Sequence, residues 1–401
     1  MTALIPRAAR QMVSKEKLQK LWLLFHRWVG LTVGLLIVIL GLSGSAAVIW
    51  NEYTQLTDVR FRVENPGNEY APLQQVMETL RAAHPRRPDG WAVDYPYPED
   101  RHAPIWATYE QPEEKVGIYE SPLYVGINPY TAGIMGEFYW GETPVSWLFN
   151  VHTILSIQST DIGEPIVGVI GVVFLLMALS GIYLWWPGGK FSLRQFFTSP
   201  RLAGRGFEFD LHRVIGFWSS ILFLVVCITG IIIVWPVESA RVVGVVQPVN
   251  MPLIEQYEAV HATPIPGREP VPFDVALRKA RALFPGAEFR HAYMPAPGST
   301  EAYGVTLRQP EERFDRMYPE TRVWLDQFSG EVIKVVDAKE FNLSRSILGY
   351  NRYSFHNGAA FGDGGRFVMF VAGLIPLFLY VTGIRQWLRI RRRVQERATP
   401  A

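Results

Sequence analysis

The sequence predicts an α-helical integral membrane protein: a four-helix transmembrane bundle formed by an internal duplication, with two extracytoplasmic α+β domains. Four apolar runs of spanning length, two long polar segments between them and motifs shared by the two halves predict this fold class. The composition agrees, because charged residues make up 19% of the 401 residues, below the roughly 25% of soluble domains. A disordered chain and a purely soluble protein are therefore disfavoured.

Each apolar run is long enough to cross about 30 Å of hydrocarbon. The runs cover residues 31–50, 166–186, 214–235 and 367–388, and the first continues a helical pattern that begins near residue 18. A secretory signal is an alternative for the first run, since Ser45-Ala46-Ala47 imitates a cleavage site. The run exceeds the apolar core of a signal peptide, which has about 7–15 residues, so we interpret it as an uncleaved anchor. Buried core helices of a soluble protein are the other alternative.

Charge counts predict the orientation of the chain. Residues 1–27 carry six Lys or Arg and one acid, residues 188–213 carry five and two, and residues 385–401 carry six and one. Residues 51–164 carry seven basic and 17 acidic residues, and residues 237–366 carry 15 and 16. Short basic segments stay in the cytoplasm. We therefore expect a bacterial inner-membrane protein with both termini cytoplasmic and both long segments periplasmic.

The predicted boundaries follow from these runs. They are a cytoplasmic N-terminus at 1–17, transmembrane helix 1 at 18–50, a first external domain at 51–150, helix 2 with its outer approach at 151–187, a cytoplasmic loop at 188–207, helix 3 at 208–236, a second external domain at 237–350, helix 4 with its outer approach at 351–388 and a cytoplasmic tail at 389–401. The cytoplasmic loop is too short for a nucleotide or flavin domain. The single cysteine, Cys227, excludes an internal disulfide framework, a CxxC redox centre and a thiolate zinc or iron–sulfur site.

The two halves of the chain share motifs at matching places. His-Arg-x-x-Gly occurs at 26–30 and 212–216, and a Ser-Gly or Thr-Gly turn occurs at 43–44, 180–181, 229–230 and 382–383. Each external segment has a helical pattern, at 72–84 and 272–284, and later a strand with a Gly turn, at 123–133 and 323–332. We interpret the chain as two copies of helix, external domain and helix in the same orientation.

Four of the eight histidines fall one per transmembrane helix. His26 and His212 lie near the cytoplasmic ends, and His152 and His356 lie on the outer side. An ionisable residue at membrane depth indicates function, although a single His at a helix end also snorkels or bonds a carbonyl. Repetition in two layers favours function for the set. The remaining histidines show no ligand spacing and are interpreted as solvated or locally bonded: His84, His102, His261 and His291.

Two facing imidazoles on neighbouring helices suit axial ligation of a haem iron. His26 with His212 would hold an inner haem b, and His152 with His356 would hold an outer one. The two haem b groups would form an electron path across the membrane. Copper is disfavoured because the sequence clusters neither Cys nor Met, and zinc needs three or four ligands in one place.

Small residues stand four positions after each histidine: Gly30, Ser156, Gly216 and Ala360. On a helix they would share the face of the histidine and leave room for a porphyrin. Small residues at this spacing also serve helix packing, and both interpretations stay open. Arg27 and Arg213 follow the inner histidines and are candidates for binding haem propionates, or they are ordinary positive-inside residues.

These residues resemble the PepSY-associated transmembrane family, which includes inner-membrane iron-uptake proteins and ferrisiderophore reductases. The resemblance covers about residues 18–390 and rests on the motifs at 25–30, 211–213, 128–133 and 326–330, on His152 and His356, and on the turns at 180–181 and 382–383. It implies two PepSY-like external domains and two b-type haems held by His26, His152, His212 and His356. It also implies that electrons pass outward to ferric siderophore, whose iron is released on reduction to Fe(II).

Three functions stay open. The first is a haem-dependent ferrisiderophore reductase in the lipid bilayer, fed by membrane quinol or a separate cytoplasmic donor. The second is a quinol-linked electron conduit to another periplasmic acceptor, and the third is a non-enzymatic interaction module. The net charge of +2 gives no sign of a nucleic-acid partner.

One external stretch is rich in aromatic residues and lies near Arg86, Arg87 and Arg101. Its members are Trp91, Tyr95, Tyr97, Trp106 and Tyr109. They are either the core of an α+β domain or a surface for an anionic ligand that carries rings. The first interpretation is favoured, and no binding site is assigned there.

Overall fold

The computed structural model describes most of the chain. The described residues are 15–98, 100–109, 122–185, 207–250, 260–296, 298–310, 312, 319–349 and 351–398. Most of the predicted cytoplasmic N-terminus, most of the predicted cytoplasmic loop, residues 399–401 of the predicted tail and Trp186 at the end of the second apolar run lie outside them.

Twelve α-helices occur in the described part of the chain. They are α1 (Lys15–Thr32), α2 (Gly34–Val48), α3 (Trp50–Thr57), α4 (Leu73–Ala83), α5 (Pro144–Ile154), α6 (Thr160–Trp185), α7 (Phe207–Val234), α8 (Pro236–Gly244), α9 (Phe273–Leu283), α10 (Leu343–Leu348), α11 (Asn351–His356) and α12 (Gly362–Ala398). Helices α6, α7 and α12 are each long and apolar enough to cross a membrane, and α1 with α2 makes a fourth span if the pair counts as one. The chain is a multi-pass membrane protein.

The first span differs from the continuous helix predicted at 18–50. Helices α1 and α2 meet at an angle of 61°. Gly30 and Gly34 flank the joint, and glycine is about 1 kcal/mol less favourable than alanine inside a helix. Gly34 also lets α2 approach α12, because an added Cβ would stand 2.8 Å from the Tyr380 ring. The apolar pattern continues through the joint, so the pattern alone could not locate the bend.

Eight strands form one antiparallel sheet. They are β1 (Trp91–Asp94), β2 (Ile105–Tyr109), β3 (Leu123–Ile127), β4 (Ile134–Tyr139), β5 (Glu288–Tyr293), β6 (Tyr303–Arg308), β7 (Thr321–Leu325) and β8 (Val332–Val336). Their order is β4-β3-β2-β1-β5-β6-β7-β8. The two external segments are therefore joined rather than separate, because β1 pairs with β5 and sets Asp94 opposite His291. Pairing between strands so far apart leaves no mark in the local pattern.

One face of the sheet is covered by two helices. Helices α4 and α9 lie within the predicted helical segments 72–84 and 272–284. Their fully buried Leu80 and Ala280 belong to one apolar core that also includes Val93 and Val305 from the two sides of the sheet. Because this core crosses the β1–β5 seam, both external segments are stabilised by the same burial of apolar surface.

The other face of the sheet contacts the helices that lead into the membrane. Phe61, Trp106 and Phe138 form a buried cluster with Trp50 and Trp140, here called the aromatic cluster. The indole of Trp140 donates a 2.9 Å hydrogen bond to the side chain of Asn150 and lies 5.3 Å from the Phe149 ring. Both partners belong to α5, so the aromatic cluster fixes this helix against the sheet.

The second half of the sheet is attached through a buried ion pair. Glu320, just before β7, lies 2.7 Å from Arg345 in α10, and their side chains are 2% and 0% exposed. Gly349 makes room for this ion pair, because an added Cβ there would collide with both side chains. The Arg352 guanidinium, on α11, donates hydrogen bonds to the carbonyls of Leu348 and Gly349. These bonds join α11 to the end of α10. The sheet is thereby connected to α11, which ends at His356.

Asp326 organises the turn between β7 and β8. Its carboxylate accepts backbone N–H bonds from Thr263, Phe328 and Ser329 at 2.6, 2.8 and 2.9 Å. Burial opposes the charge, but these donors hold the pKa of Asp326 below its usual value. Because the folded-state pKa is lowered, the charged carboxylate stabilises the fold at neutral pH. This stabilisation is lost as the pH falls through the lowered pKa.

We expect Asp326→Ala to lower the free energy of unfolding by about 1–3 kcal/mol, since three backbone N–H groups lose a charged acceptor. The measurement is the thermal denaturation midpoint in detergent at pH 7 and at acidic pH, where the difference from the wild type should shrink. Asp363→Ala is the control, because the Asp363 side chain is 92% exposed. Equal shifts of the denaturation midpoint in the two variants would contradict the stabilising role of Asp326 in this turn.

Candidate functional site

Each of the four span-associated histidines is hydrogen-bonded through Nδ1 to a neighbouring helix. His26 of α1 bonds Ser180 of α6 at 2.7 Å, and His212 of α7 bonds Thr382 of α12 at 2.8 Å. On the outer side, His152 of α5 bonds the Leu40 carbonyl of α2 at 2.9 Å, and His356 of α11 bonds Thr229 of α7 at 3.0 Å. All four rings are half-buried. Each histidine therefore binds a helix of its own half of the chain.

The acceptors fix which ring nitrogen carries the proton. A carbonyl can only accept, so Nδ1 of His152 donates to Leu40. The hydroxyls of Ser180, Thr229 and Thr382 each donate their own hydrogen to a backbone carbonyl of the preceding turn, at 2.7, 2.6 and 2.9 Å. Each hydroxyl can then only accept from the histidine. In the described chain no hydrogen bond reaches any of the four Nε2 atoms, so their lone pairs can bind a metal.

The structure brings the two outer histidines together, as predicted. The ring centroids of His152 and His356 lie 6.0 Å apart, with the rings inclined by 45°. Metal–imidazole bonds of about 2 Å place two imidazoles on opposite sides of one metal at roughly this centroid separation. The outer donor set thus fits one metal held by two imidazoles. His26 and His212 each bond the helix of Ser180 or Thr382, and their predicted pairing stays a prediction.

A glycine faces the Cε1 edge of each histidine, and sequence reasoning did not connect the two. An added Cβ would stand 2.7 Å from His152 at Gly44, 3.3 Å from His356 at Gly230, 3.5 Å from His26 at Gly181 and 3.8 Å from His212 at Gly383. These glycines belong to the four Ser-Gly or Thr-Gly motifs found in the sequence. The prediction of turns there was wrong, because all four motifs lie inside helices, in α2, α6, α7 and α12. In three motifs the hydroxyl residue is also the acceptor of the histidine. The matching number of motifs and histidines was the available signal.

The residues four positions after the histidines are only partly arranged as predicted. Gly30 has open space where a Cβ would stand, and Gly216 would touch only Leu379, at 3.8 Å. Both leave room for a flat group beside the inner histidines. The outer pair differs, because α5 ends at Ile154 before Ser156, which has a φ of 54°, and a break at Gly358 separates α11 from Ala360. Helical spacing therefore does not relate Ser156 or Ala360 to the outer histidines.

A known protein family covers most of the chain. The family model of the PepSY-associated TM region matches residues 23–389. The chain belongs to the PepSY-associated TM region family. The predicted family is thereby confirmed. Among curated proteins no sequence matches the chain.

The arginines next to the inner histidines of this PepSY-associated chain point to solvent. Arg27 and Arg213 are exposed, and their guanidinium carbons lie 5.6 and 5.5 Å from the Trp28 and Phe209 rings. Neither forms an ion pair with a described carboxylate. Their predicted role toward propionates stays a prediction.

A different pair of arginines lies at the inner end of the bundle, and the sequence analysis missed it. Glu208 of α7 binds Arg385 at 2.7 Å and Arg389 at 2.8 Å. Glu208 stands four residues before His212, and Arg385 three residues after Thr382. Two guanidinium groups beside the inner histidine can hold a carboxylate, as Glu208 shows. Only the opposite charges at 208, 385 and 389 could have indicated this contact.

The four external histidines make separate local bonds, as expected from their spacing. Asp94 bonds His291 at 2.8 Å and the Val63 carbonyl bonds His102 at 2.7 Å. Glu137 lies 3.4 Å from His84 and Thr300 lies 3.3 Å from His261. Across the described ranges, no group of three or more His, Cys, Asp or Glu side chains could hold a metal.

The aromatic stretch of the first external segment is mainly core. Trp91, Tyr95, Trp106 and Tyr109 are 0%, 5%, 8% and 6% exposed. The hydroxyl of Tyr95 donates to the Ala71 carbonyl, and burial raises its pKa above the usual value. The alternative of a ligand surface on this stretch is therefore not supported.

Proposed function

We propose that this PepSY-associated chain is a dihaem b oxidoreductase that carries electrons across the bacterial inner membrane and reduces ferric siderophore in the periplasm. The observation that supports it is the set of four histidines with protonated Nδ1 and available Nε2, of which the outer two face each other. A neutral imidazole bound in this way is a ready axial ligand, because the hydrogen bond at Nδ1 fixes its tautomer and orientation. The histidines would hold one haem per pair.

Bound haem would supply one-electron chemistry at potentials that the protein adjusts. The residues of the chain have three tasks in this proposal. The histidines would bind the haem iron, with His26 and His212 on the inner side and His152 and His356 on the outer side. Ser180, Thr229, Thr382 and the Leu40 carbonyl orient them. Apolar helices exclude water, which strengthens electrostatic interactions at the site. The basic ends at 1–27 and 385–401 support a cytoplasmic placement of both termini.

The electron donor is a membrane quinol or a separate cytoplasmic carrier. The bundle is held against the external sheet on both sides, through Trp140 with Asn150 and through Glu320 with Arg345. The outer histidine pair is therefore next to the part of the chain that would meet a periplasmic acceptor. This proximity supports electron delivery outward rather than the role of an anchor alone.

The test is the absorbance spectrum of the purified full chain, oxidised and dithionite-reduced, with haem quantified. The proposal expects about two low-spin haems per chain, with two axial imidazoles each. Reoxidation of the reduced protein by a ferric siderophore should proceed faster than by a periplasmic redox protein of unrelated function. Protein from haem-replete cells that contains no haem would contradict the proposal and favour the interaction module.

The hydroxyl acceptors provide a finer test. Thr382→Val keeps the shape of the side chain but removes the acceptor of His212, and we expect inner-haem affinity to fall by about 10–100-fold. Donation from the imidazole to iron also weakens, so the midpoint potential of that haem should rise. Haem titration and a spectroelectrochemical titration measure the two effects.

Thr32→Val is the matched control. The Thr32 hydroxyl bonds only the Trp28 carbonyl of its own helix, at 2.8 Å. Unchanged haem affinity and midpoint potential in Thr382→Val, or the same change in both variants, would contradict the role of Thr382 in positioning His212.

A further inference from the structure

A groove of about 340 Å³ lies on the external sheet beside the β1–β5 seam. We call it the seam groove. It is lined by Ala92, His291, Tyr293, Gly304, Val305, Thr306, Arg322 and Trp324. Its volume is at the lower end of the range of about 300–1,000 Å³ for small-molecule pockets.

The strand register shows which face of the sheet carries the seam groove. Side chains of directly paired residues lie on one face. Trp106 pairs with Asp94, Asp94 with His291 and His291 with Thr306. In turn, Thr306 pairs with Arg322. The seam groove is therefore on the same face as Trp106 and the aromatic cluster, which contacts α5, the helix of His152.

The two halves of this face are filled differently. In the first half, the Phe61 ring lies over Gly126 and Gly136, where an added Cβ would meet it at 2.5 and 3.1 Å. In the second half, the residue paired with Gly304 is Trp324, which contributes its own indole to the sheet surface. The Phe61 ring therefore covers the first half of this face, whereas the second half has a groove that the Trp324 indole lines.

The lining combines a flat ring with positive charge. Arg322 and Trp324 are neighbours on one strand face, and the Lys334 ammonium lies 5.8 Å from the Trp324 ring. Burial lowers the pKa of Lys334. Two acidic side chains near the groove, among the described residues, are bonded to its lining: Asp94 binds His291 at 2.8 Å and Glu301 accepts from Tyr293 at 2.5 Å. An anionic aromatic group fits these contacts.

We propose that the seam groove binds one aromatic arm of an anionic ferric catecholate chelate, which is the substrate class of the reductase. This inference rests on the proposed function for the identity of the metal. The chelated Fe(III) gains one electron, supplied by the quinol or cytoplasmic carrier through the bundle, and becomes Fe(II). No bond to the protein forms or breaks. The volume of the groove admits an arm of the chelate, while the metal centre stays outside it, on the face shared with α5.

The test uses a Ga(III) tris-catecholate complex, which has the charge and shape of the ferric chelate but is not reduced. Binding to the purified full chain is measured by calorimetry. We expect Arg322→Gln and Trp324→Leu each to raise the Kd about tenfold or more. Trp324→Phe, which keeps a ring, should raise it less. A neutral Ga(III) tris-hydroxamate should bind more weakly than the catecholate, with little response to Arg322→Gln.

Arg278→Gln is the matched control, because Arg278 is exposed on α9, which covers the opposite face of the sheet. Haem content is measured on the same samples. An unchanged Kd in Arg322→Gln and Trp324→Phe, or an equal rise in Arg278→Gln, overturns the seam groove as the site. A chain without haem whose Kd still depends on Arg322 overturns the proposed function instead and leaves the binding site standing.

Discussion

Replacing both outer histidines, as His152→Ala with His356→Ala, is expected to remove one haem per chain and leave the other. The pair His26→Ala with His356→Ala is expected to remove both. The reason is that each haem loses its affinity once one of two axial ligands is gone, and a second loss in the same layer costs nothing further. Haem is quantified by the pyridine haemochrome method, and electron transfer to ferric siderophore should be abolished in both double variants.

The comparison of the two double variants tests the pairing itself. Were His26 and His152 partners on one haem, the outer double variant would lose both haems instead of one. His102→Ala is the control, because His102 is an external histidine bonded to the Val63 carbonyl, and it should retain full haem content. Retention of about two haems in both double variants would contradict the ligand assignment altogether.

Gly44→Ala is expected to displace His152 and to release the outer haem. The new methyl group would stand 2.7 Å from Cε1 of His152, well inside ordinary contact distance. The ring cannot move away without losing its 2.9 Å bond to the Leu40 carbonyl. Packed interiors resist added atoms at a cost of typically 1–3 kcal/mol. The expected readout is a fall in haem content with loss of the low-spin outer signal.

Gly383→Ala is the matched control for Gly44→Ala. It makes the same substitution in another of the four Ser-Gly or Thr-Gly motifs, but the added methyl group would stand 3.8 Å from His212, which is ordinary van der Waals contact. We expect it to keep both haems. A glycine-to-alanine change also favours helix formation, so a general loss of helix stability cannot explain a defect confined to Gly44. Equal haem loss in the two variants would count against the steric argument.

Much of the fold follows from the local pattern of the sequence. Apart from Trp235, which follows α7, and Trp186, which is outside the described residues, the apolar runs at 166–186, 214–235 and 367–388 fall in α6, α7 and α12. The helical segments at 72–84 and 272–284 contain α4 and α9. These features depend on periodicity and on flanking prolines, which are local. The bend between α1 and α2 and the joining of β1 to β5 depend on contacts between distant segments. No local pattern encodes them.

The candidate site shows the same division. The four histidines were identifiable because an ionisable residue at membrane depth is costly and therefore informative. Their acceptors were not, since Ser180 is 154 residues from His26 and Thr382 is 170 residues from His212. Spacing by four predicted a helical relation for Ser156 and Ala360 that fails because the outer helices end first. Arg385 and Arg389 were counted only as positive-inside charges.

The continuous sheet has a consequence for how such a chain arises. Either half alone would expose β1 or β5 as an open edge, and exposed edges promote pairing with another chain. Either half alone would also expose the residues that it contributes to the apolar core across the β1–β5 seam. A half-length ancestor could satisfy both needs by forming a symmetric homodimer through that edge, since antiparallel pairing is compatible with a two-fold axis. The covalent joining of the halves would then have replaced a concentration-dependent pairing by a pairing within one chain, whose two sides were free to diverge.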